Sequence, residues 1–329
     1  MYERLAVSEK QNVEINKLMK AFEDNQIQYM PLKGVLLQEL YPARDMRFMA
    51  DFDVLINVND YDKIEPILED LGYEFDCESD HEYNFVKKPF IHVELHKHLI
   101  PSYDEDMYEH FGDGWELAHL SGESKYRYEL TTEDNYLYIF THFAKHYRDT
   151  GCGIRLLIDI WLYMKKYSDM DMDYIQNQLL ALNLFEFHKN CERLIKAWFE
   201  DGEFDDITKH MTEFIVNSGT FGSRKNQISA NTIRDYMDDD VSKAEKQKYI
   251  KLLFPDLKNM SITYPVLEKH SYLLPIFWLI RLVKAVLFKR KNIRYHRERT
   301  DIITDKNIEE YDNHMKAVGL DIYNGRKKS

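Results

Sequence analysis

Residues 51–58 read DFDVLINV, which alternates polar and apolar side chains as a strand with one buried face does. Asp51 and Asp53 are therefore predicted to lie on the same face, with Cα atoms about 6.6 Å apart at about 3.3 Å per residue. Phe52 and Val54 would take the opposite, buried face. Two carboxylates this close repel each other, and a bound cation relieves that repulsion. The stretch predicts a strand that carries part of a metal site.

Residues 91–97 (IHVELHK) repeat this alternation and place Glu94 on the face opposite the apolar side chains. If this strand pairs beside residues 51–58, Glu94 joins the two aspartates. Oxygen ligands of this kind suit Mg²⁺ or Mn²⁺. His92 and His96 share the predicted face of Glu94, where each either reaches the metal site or is hydrogen-bonded or solvent-facing.

Upstream, Lys33 and Gly34 stand between a predicted strand at 27–32 and a predicted helix at 34–40. A glycine at such a junction lets the backbone approach a phosphate, and Lys33 adds a positive charge. A simple tight turn is the alternative. Arg47, four residues before Asp51, would either contact a triphosphate or be a surface charge.

The rest of the first third also alternates helices and strands. A helix is predicted at 9–25 with Ser8 as its N-cap, another from Asp60 to Leu71, and a strand at 83–87. Later residues are amphipathic at the helical period, and a polar loop is predicted at 218–231. The sequence therefore predicts an α+β fold, with an α/β domain at 1–125 and a helical lobe at 126–329. The helices predicted in that lobe include 133–148, 153–167, 171–182 and 184–200.

Composition narrows the function classes. The 329 residues carry a formal net charge of −13, which argues against a long nucleic acid as the default partner. Cys77, Cys152 and Cys191 are far apart, so neither a disulfide framework nor a zinc motif is predicted. The first residues lack the charged-then-apolar pattern of a signal peptide. A reducing cytoplasm is the expected location.

Two pairs in the helical lobe are spaced by four residues, which places each pair on one helix face. His142 and His146 could hold zinc, line the cleft between the lobes, or pack within the helical lobe. Arg155 and Asp159 are expected to form an ion pair on the helix surface or between helices, and a substrate-binding role for Arg155 is the alternative.

Residues 272–288 (YLLPIFWLIRLVKAVLF) are strongly apolar, but Arg281 and Lys284 interrupt them. A membrane-spanning helix needs about 20 apolar residues with few charges. The segment is therefore expected to be a buried amphipathic helix or, with the basic residues that follow, a weak membrane-surface contact through 272–299. The basic residues are Lys289, Arg290, Lys291, Arg294, Arg297 and Arg299.

Taken in order, these motifs resemble the uncharacterised bacterial nucleotidyltransferase family of the polymerase-β-like superfamily. The resemblance covers most of the chain and is sharpest between residues 30 and 100. Downstream, His142-x-x-x-His146, Arg155-Leu156-Leu157-x-Asp159 and Gly219-Thr220-Phe221-Gly222 also fit. The sharpest motifs are Leu32-Lys33-Gly34, Tyr41-Pro42, Arg47-x-Met49-x-Asp51-Phe52-Asp53-Val54-Leu55-Ile56, Leu71-Gly72-Tyr73 and Val93-Glu94-Leu95-His96.

The resemblance implies a small mixed sheet flanked by helices, with a large helical C-terminal lobe. It implies that Asp51, Asp53 and Glu94 bind Mg²⁺ or Mn²⁺, and that an NTP donates its nucleotidyl group to an acceptor hydroxyl. The acceptor is expected to be a small molecule or a protein rather than a long nucleic acid. Lys33-Gly34-Val35 departs from the superfamily, which usually has a Gly followed by Gly or Ser there. A non-catalytic nucleotide-binding or scaffold module is the alternative.

Overall fold

The computed structural model describes residues 2–89, 91–102, 104–220, 222–237, 266–288 and 305–320, with residues 254, 255, 257, 260 and 264. Their secondary structure is mixed α and β, which confirms the predicted fold class. The described parts fall into two compact units, one drawn from residues 2–222 with 315–320 and the other from 223–314. The domain boundary predicted near residue 125 lies inside the first unit and stays a prediction.

A five-stranded mixed sheet forms the framework of the first unit. Its strand order is β1-β2-β5-β4-β3, in which β2 and β5 run parallel and the other neighbours are antiparallel. The parallel pair lies in the interior of the sheet, so neither of its strands is an edge. The strands are β1 (Tyr29–Pro31), β2 (Phe52–Ile56), β3 (Glu74–Glu78), β4 (Glu82–Lys87) and β5 (Ile91–His96).

Strand β2 is buried on both faces, which corrects the expectation of a single buried face. One face packs against the helices α1 (Tyr2–Asp24) and α3 (Tyr61–Asp70), where it forms an apolar core. Phe22 from α1 and Leu68 from α3 are fully buried in that core. Helix α1 begins well before residue 9, so Ser8 lies inside it and the predicted N-cap at Ser8 is wrong.

Short elements connect these strands and helices. Helix α2 (Gly34–Gln38) follows β1 directly, as the sequence predicted. Turns of 3₁₀-helix lie at Arg44–Met46 and Val58–Asp60, and α3 starts after the second of them. Asp60 takes the N-cap position of α3 but makes no side-chain cap hydrogen bond there.

Strand β3 was not predicted, because its sequence EFDCE is acidic and has only Phe75 and Cys77 as apolar residues. All five of its residues are exposed, and its backbone pairs with β4 at the edge of the sheet. A separate two-stranded ribbon, β6 (Ala118–Leu120) and β7 (Tyr128–Leu130), also escaped prediction. Each of these elements is formed through backbone pairing rather than through burial of a continuous apolar face.

The helical layer of the first unit is centred on α5 (Thr132–Asp149). The helix begins at residue 132 because Thr131 caps it, with the Asp134 backbone N–H donating to Thr131 Oγ1 at 3.1 Å. Tyr136, Phe140 and Phe143 on α5 are almost completely buried. The four helices predicted between 133 and 200 are confirmed. The other helices of the layer are α4 (Glu105–Phe111), α6 (Ile154–Lys166), α7 (Met172–Ala181), α8 (Phe185–Phe199) and α9 (Asp206–Ser218).

The described part of the second unit is helical. The loop predicted at 218–231 is wrong beyond residue 223, because α10 begins at Arg224. Tyr272 is followed by a helix in which Ile276 and Leu279 are more than half exposed, so the helix is not fully buried. The helices are α10 (Arg224–Met237), α11 (Val266–Lys269), α12 (Leu274–Phe288, after a 3₁₀ turn at Ser271–Leu273) and α13 (Asp305–Val318), whose last residues belong to the first unit.

The described helices include none that is long and apolar enough to cross a membrane. The basic residues predicted to contact a membrane surface lie at 289–299, outside the described residues, so that contact stays a prediction. Phe221 in the Gly219–Gly222 motif also lies outside them.

Candidate active site

Backbone pairing places a band of polar side chains on the face of the sheet opposite the apolar core. In the parallel pair, Asp53 of β2 lies opposite Glu94 of β5. In the antiparallel pair, Asn84 of β4 lies opposite Glu94, and Glu82 lies opposite His96. Residues opposite each other in a ladder project to the same face. The register therefore brings carboxylates and an imidazole from three strands together.

Asp53, Glu94 and His96 form a close group. One ligand atom from each residue lies within 4.8 Å of the others. His96 Nε2 is 2.9 Å from Asp53 Oδ1 and 3.7 Å from Glu94 Oε2. The Asp53 and His96 side chains are 7% and 2% exposed, whereas that of Glu94 is 25% exposed. Glu94 is thus the member of the group that faces solvent.

Lys33 supplies the positive charge beside this group. Its Nζ donates to Asp53 Oδ1 at 3.2 Å, and it lies 5.8 Å from the centre of the Tyr138 ring on α5. Lys33 immediately precedes α2 and has a φ of 34°, a conformation that non-glycine residues rarely adopt. The following residue must be small, because a Cβ on Gly34 would lie 2.8 Å from Met49 Sδ. This junction directs the Lys33 side chain toward the polar face of the sheet.

The charges of the group depend on one another. Burial alone would raise the pKa of Asp53, but Lys33 and the hydrogen bond with His96 outweigh it and hold the pKa below its usual range. Burial would likewise lower the pKa of Lys33, yet Asp53, Glu94 and Asp51 together keep it above the usual value. The pKa of His96 is raised, because its hydrogen bonds to Asp53 and Glu94 outweigh burial and the charge of Lys33. Lys33 and Asp53 therefore form a buried ion pair.

Asp51 precedes β2 and is half-buried beside this group. Burial, Asp53 and Glu94 raise the pKa of Asp51 to about 6, against the opposing charges of Lys33 and Arg155. Asp51 is not part of the close group formed by Asp53, Glu94 and His96. Its carboxyl nevertheless interacts electrostatically with Asp53, Glu94, Lys33 and Arg155, as a member of a charged cluster does.

Arg47 is buried in an ion pair with Asp159 of α6, so it is not a surface charge. Its Nε and Nη2 donate to the two carboxylate oxygens of Asp159 at 2.8 and 2.9 Å, and Tyr41 donates to the same carboxylate at 2.7 Å. The ion pair expected between Arg155 and Asp159 is therefore wrong. Arg47 lies 112 residues from Asp159, and only tertiary packing brings them together. The pair fixes the segment that leads into β2.

Arg155 instead donates from Nη1 to the backbone oxygen of Phe48 at 2.9 Å. Its Nε is buried and has no hydrogen-bond partner among the described residues. Its charge lowers the pKa of Asp51, which places the guanidinium near the carboxylates. Arg155 and Lys33 thus present positive charge to the acidic group from different elements.

The rings of His142 and His146 of α5 meet edge to face, with their centres 4.4 Å apart. Burial first, and then the charge of Lys33, lower the pKa of both, that of His146 to about 4. Within the described part of the chain, no cluster of three metal-binding side chains includes either histidine. Both imidazoles are therefore neutral near pH 7. The charge of His96 also lowers the pKa of His142.

Sequence reasoning missed His81, which lies in the turn between β3 and β4. Its ring centre is 4.6 Å from that of His96 and 5.5 Å from that of His98. The dipeptide His81-Glu82 alone gives no signal of a site. The alternation of Glu94 and His96 was visible, but the contact of His96 with Asp53 depends on strand register, which one strand does not reveal.

The donor atoms fit a divalent cation. Asp53 and Glu94 supply oxygen ligands in register, and burial together with repulsion from these carboxylates raises the pKa of Asp51. A hard cation such as Mg²⁺ prefers oxygen ligands and relieves that repulsion. Lys33 already neutralises part of the charge on Asp53, so a cation would share Asp53 with the lysine.

Comparison with known families gives one match. The family model described as "Uncharacterised nucleotidyltransferase" matches residues 5–200, which is more than half of the chain and includes β1 to β5 and helices α1 to α8. No curated protein and no solved structure was found to match. The chain belongs to this nucleotidyltransferase family.

Proposed function

From this family membership, we propose that the protein transfers a nucleotidyl group from an NTP to a hydroxyl-bearing acceptor and releases pyrophosphate, with the help of Mg²⁺ or Mn²⁺. The observation that carries the proposal is the in-register pairing of Asp53 with Glu94, with His96 in the same close group. The catalytic part is proposed to be residues 1–125, and the remainder a helical lobe.

Asp51, Asp53 and Glu94 are the residues proposed to hold the metal. When bound, the metal polarises the phosphate oxygens and stabilises the negative charge that develops on the leaving pyrophosphate. The half-buried position of Asp51 and its raised pKa support its inclusion. His96 orients Asp53 through their 2.9 Å contact.

In the proposed reaction, the acceptor oxygen forms a bond to the α-phosphorus. The bond between that phosphorus and the bridging oxygen of pyrophosphate breaks, and pyrophosphate leaves with the electron pair. The proton of the acceptor hydroxyl passes to the Glu94 carboxylate. Glu94 suits this role because it is the most exposed member of the close group, and an acceptor can reach it.

Phosphate binding is proposed to depend on Lys33, Gly34 and Arg47, each in a different way. Lys33 neutralises negative charge beside Asp53, and Gly34 leaves room for the segment that contains Met49. Arg47 acts as a positioning residue, because its guanidinium is engaged by Asp159. Arg155 is the better candidate for direct contact with the NTP, since its Nε has no hydrogen-bond partner among the described residues. His142 and His146 of α5 are proposed to line the substrate cleft.

The acceptor is proposed to be a small molecule or a protein hydroxyl. The formal net charge of −13 disfavours a long polyanion, because repulsion acts over the whole surface. An NTP is still accommodated, since Lys33 and Arg155 counter its charge locally. A cytoplasmic location, where NTP and Mg²⁺ are both present, is part of this proposal.

A second candidate is a non-catalytic nucleotide-binding or scaffold module. The Lys33–Asp53 ion pair favours it, because the ammonium group occupies a carboxylate that a metal would need. The exposed Ile276 and Leu279 of α12 are compatible with a membrane-surface role for such a module. Nucleotide binding without turnover would distinguish this candidate from the transferase.

Calorimetry with ATP, CTP, GTP and UTP, each with and without Mg²⁺, tests the proposal on the full chain. We expect at least one nucleotide to bind only with Mg²⁺, and Asp53→Asn to abolish that binding. Asp24→Asn is the matched control, because Asp24 is an exposed aspartate on α1. Equal binding by wild type and Asp53→Asn would show that the site is misassigned. Pyrophosphate release in the presence of candidate acceptors then separates turnover from binding alone.

A further inference from the structure

Three buried histidine nitrogens have no hydrogen-bond partner among the described residues, and two of them lie at the close group. These two are Nδ1 of His81 and Nδ1 of His96. The whole of His96 is 1% exposed, so water does not solvate its ring freely. More than nine in ten buried polar groups find a partner, and an exception calls for an explanation such as a bound ion. This pair of nitrogens is such an exception.

The other nitrogen of His96 is already engaged. Nε2 lies 2.9 Å from Asp53 Oδ1, a distance that fits an N–H donating to a carboxylate. Histidines that bind a metal through one nitrogen usually donate the other N–H to a carboxylate or carbonyl, which fixes the ring and its tautomer. His96 has this arrangement, with Asp53 as the orienting carboxylate and Nδ1 as the free nitrogen.

Strand pairing brings the remaining donors to the same place. Glu82 of β4 lies opposite His96 of β5, and the backbone N–H of Lys97 donates to the His81 carbonyl at 2.9 Å. One ligand atom from each of His81, Glu82 and His96 lies within 4.8 Å of the others. Three strand-end residues therefore converge without any residue of the Asp51–Asp53–Glu94 set.

We propose that His81, Glu82 and His96 form a second cation site, which binds a divalent transition metal of the Zn²⁺ class rather than Mg²⁺. Two imidazoles and one carboxylate are a ligand set typical of zinc and of other late first-row metals. Zn–N and Zn–O bonds are about 2.0–2.2 Å, so the ligands close by roughly 1 Å around the ion. His81 lies in the turn between β3 and β4, and Glu82 is the first residue of β4.

The free Nδ1 atoms of His81 and His96 supply the two nitrogen ligands of the proposed site. A neutral imidazole is the form that binds metal. A cation on Nδ1 of His96 would hold the proton on Nε2, and Nε2 would then donate to Asp53. The second site would thus set the hydrogen bond of a residue in the proposed nucleotidyl-transfer site. The site itself does not depend on nucleotidyl transfer being the activity.

Co²⁺ and Zn²⁺ titration of the metal-free, full-length protein tests this site. We expect one equivalent of Co²⁺ to bind with a visible absorption band, and Zn²⁺ to displace it. His81→Gln and Glu82→Gln should each weaken binding at least roughly 100-fold and leave Mg²⁺–nucleotide binding in place. Asp51→Asn should weaken Mg²⁺–nucleotide binding and leave Co²⁺ binding in place. His119→Gln is the matched control, because His119 is an exposed histidine that also pairs with a glutamate.

The outcomes separate this site from the proposed transferase site. Loss of Co²⁺ binding in the His81 and Glu82 variants, with unchanged circular dichroism, supports the second site whether or not any nucleotide binds. If wild type binds neither ion stoichiometrically, the inference is overturned. It is also overturned if His81→Gln and Glu82→Gln bind Co²⁺ as tightly as His119→Gln does.

Discussion

The two faces of strand β2 differ in what they bury. Phe52, Val54 and Ile56, each at most 1% exposed, face α1 and α3 in the apolar core. Asp53, between them in sequence, faces the opposite way and contacts Lys33 and His96. The apolar face supplies burial that stabilises the fold, whereas the polar face concentrates paired charges whose desolvation opposes stability. Substitutions at adjacent residues of β2 should therefore change stability and activity separately.

Asp53→Asn should have the largest effect, on the polar face. Loss of a shared metal-binding carboxylate removes stabilisation of the transition state, so we expect nucleotidyl transfer to fall by at least roughly 1,000-fold, or about 4 kcal/mol. Pyrophosphate release measures the loss, and Asp24→Asn on exposed α1 should retain wild-type turnover. Retention of activity by Asp53→Asn would break the comparison, because the polar face would then not be the site.

Phe52→Ala tests the apolar face of the same strand. The side chain is 1% exposed, and removal of a buried phenylalanine lowers the free energy of unfolding by about 3–5 kcal/mol. Denaturant unfolding measures the change, and calorimetry on the folded protein should show unaltered nucleotide affinity. Phe75→Ala, on exposed β3, should change the free energy of unfolding by less than about 1 kcal/mol. Similar losses in both variants would contradict this assignment of the core.

His188 extends the comparison to the helical layer, because it is a buried histidine far from the site residues in sequence, with Glu192 Oε2 3.8 Å from its Nδ1. Its Nε2 lies 2.6 Å from the Tyr136 hydroxyl, and burial lowers its pKa to about 4. The unfolded chain, with a pKa near 6.5, binds the proton more readily between these values. Stability should therefore be full above pH 6.5 and fall by roughly 3 kcal/mol as the pH drops to 4.

The measurement is the free energy of unfolding of wild type and His188→Gln across this pH window. The variant should show a shallower slope, and the difference between the two curves isolates His188 from other titrating groups. His119→Gln, at an exposed histidine, should keep the wild-type slope. An unchanged slope in His188→Gln would show that burial does not set this titration.

Lys33→Met should have the smallest effect and sharpen the description of the polar face. The ammonium group competes with a metal for Asp53. Without it, Mg²⁺ alone should bind roughly tenfold more tightly, or by about 1.4 kcal/mol. Calorimetry without nucleotide measures this, and Lys20→Met removes an exposed lysine as a control. Weaker Mg²⁺ binding in Lys33→Met would mean that the lysine orients Asp53 for the metal instead of competing with it.

The elements that follow a strong periodic pattern were predictable from the sequence. Helices α5 to α8 appear within two residues of their predicted bounds, because each buries a continuous apolar stripe. Strand β3 and the β6–β7 ribbon were not predictable, since backbone pairing rather than an apolar face holds them in place. Ser8 was misjudged as a helix start because a capping residue type also occurs inside helices.

The candidate site was predictable as residue types but not as contacts. Alternation along β2 and β5 predicts that Asp53 and Glu94 project from one face of each strand. Whether they meet depends on register, and only the structure gives the pairing of Asp53 with Glu94. Arg47 shows the same limit, because it lies 112 residues from its partner Asp159. Arg47 pairs with Asp159 in place of Arg155, which has the favourable helical spacing. Long-range packing decides both cases.

Strand β3 also bears on how the protein behaves at high concentration. Among the described strands it is the outermost, so an identical chain could add a strand of its own to the outer backbone edge of β3. It carries exposed carboxylates at Glu74, Asp76 and Glu78, and the first and last of these pair with Lys88 and Lys97. Such a charged edge disfavours edge-to-edge aggregation. The acidic residues that make β3 hard to recognise in the sequence thus disfavour the addition of a further strand at this edge.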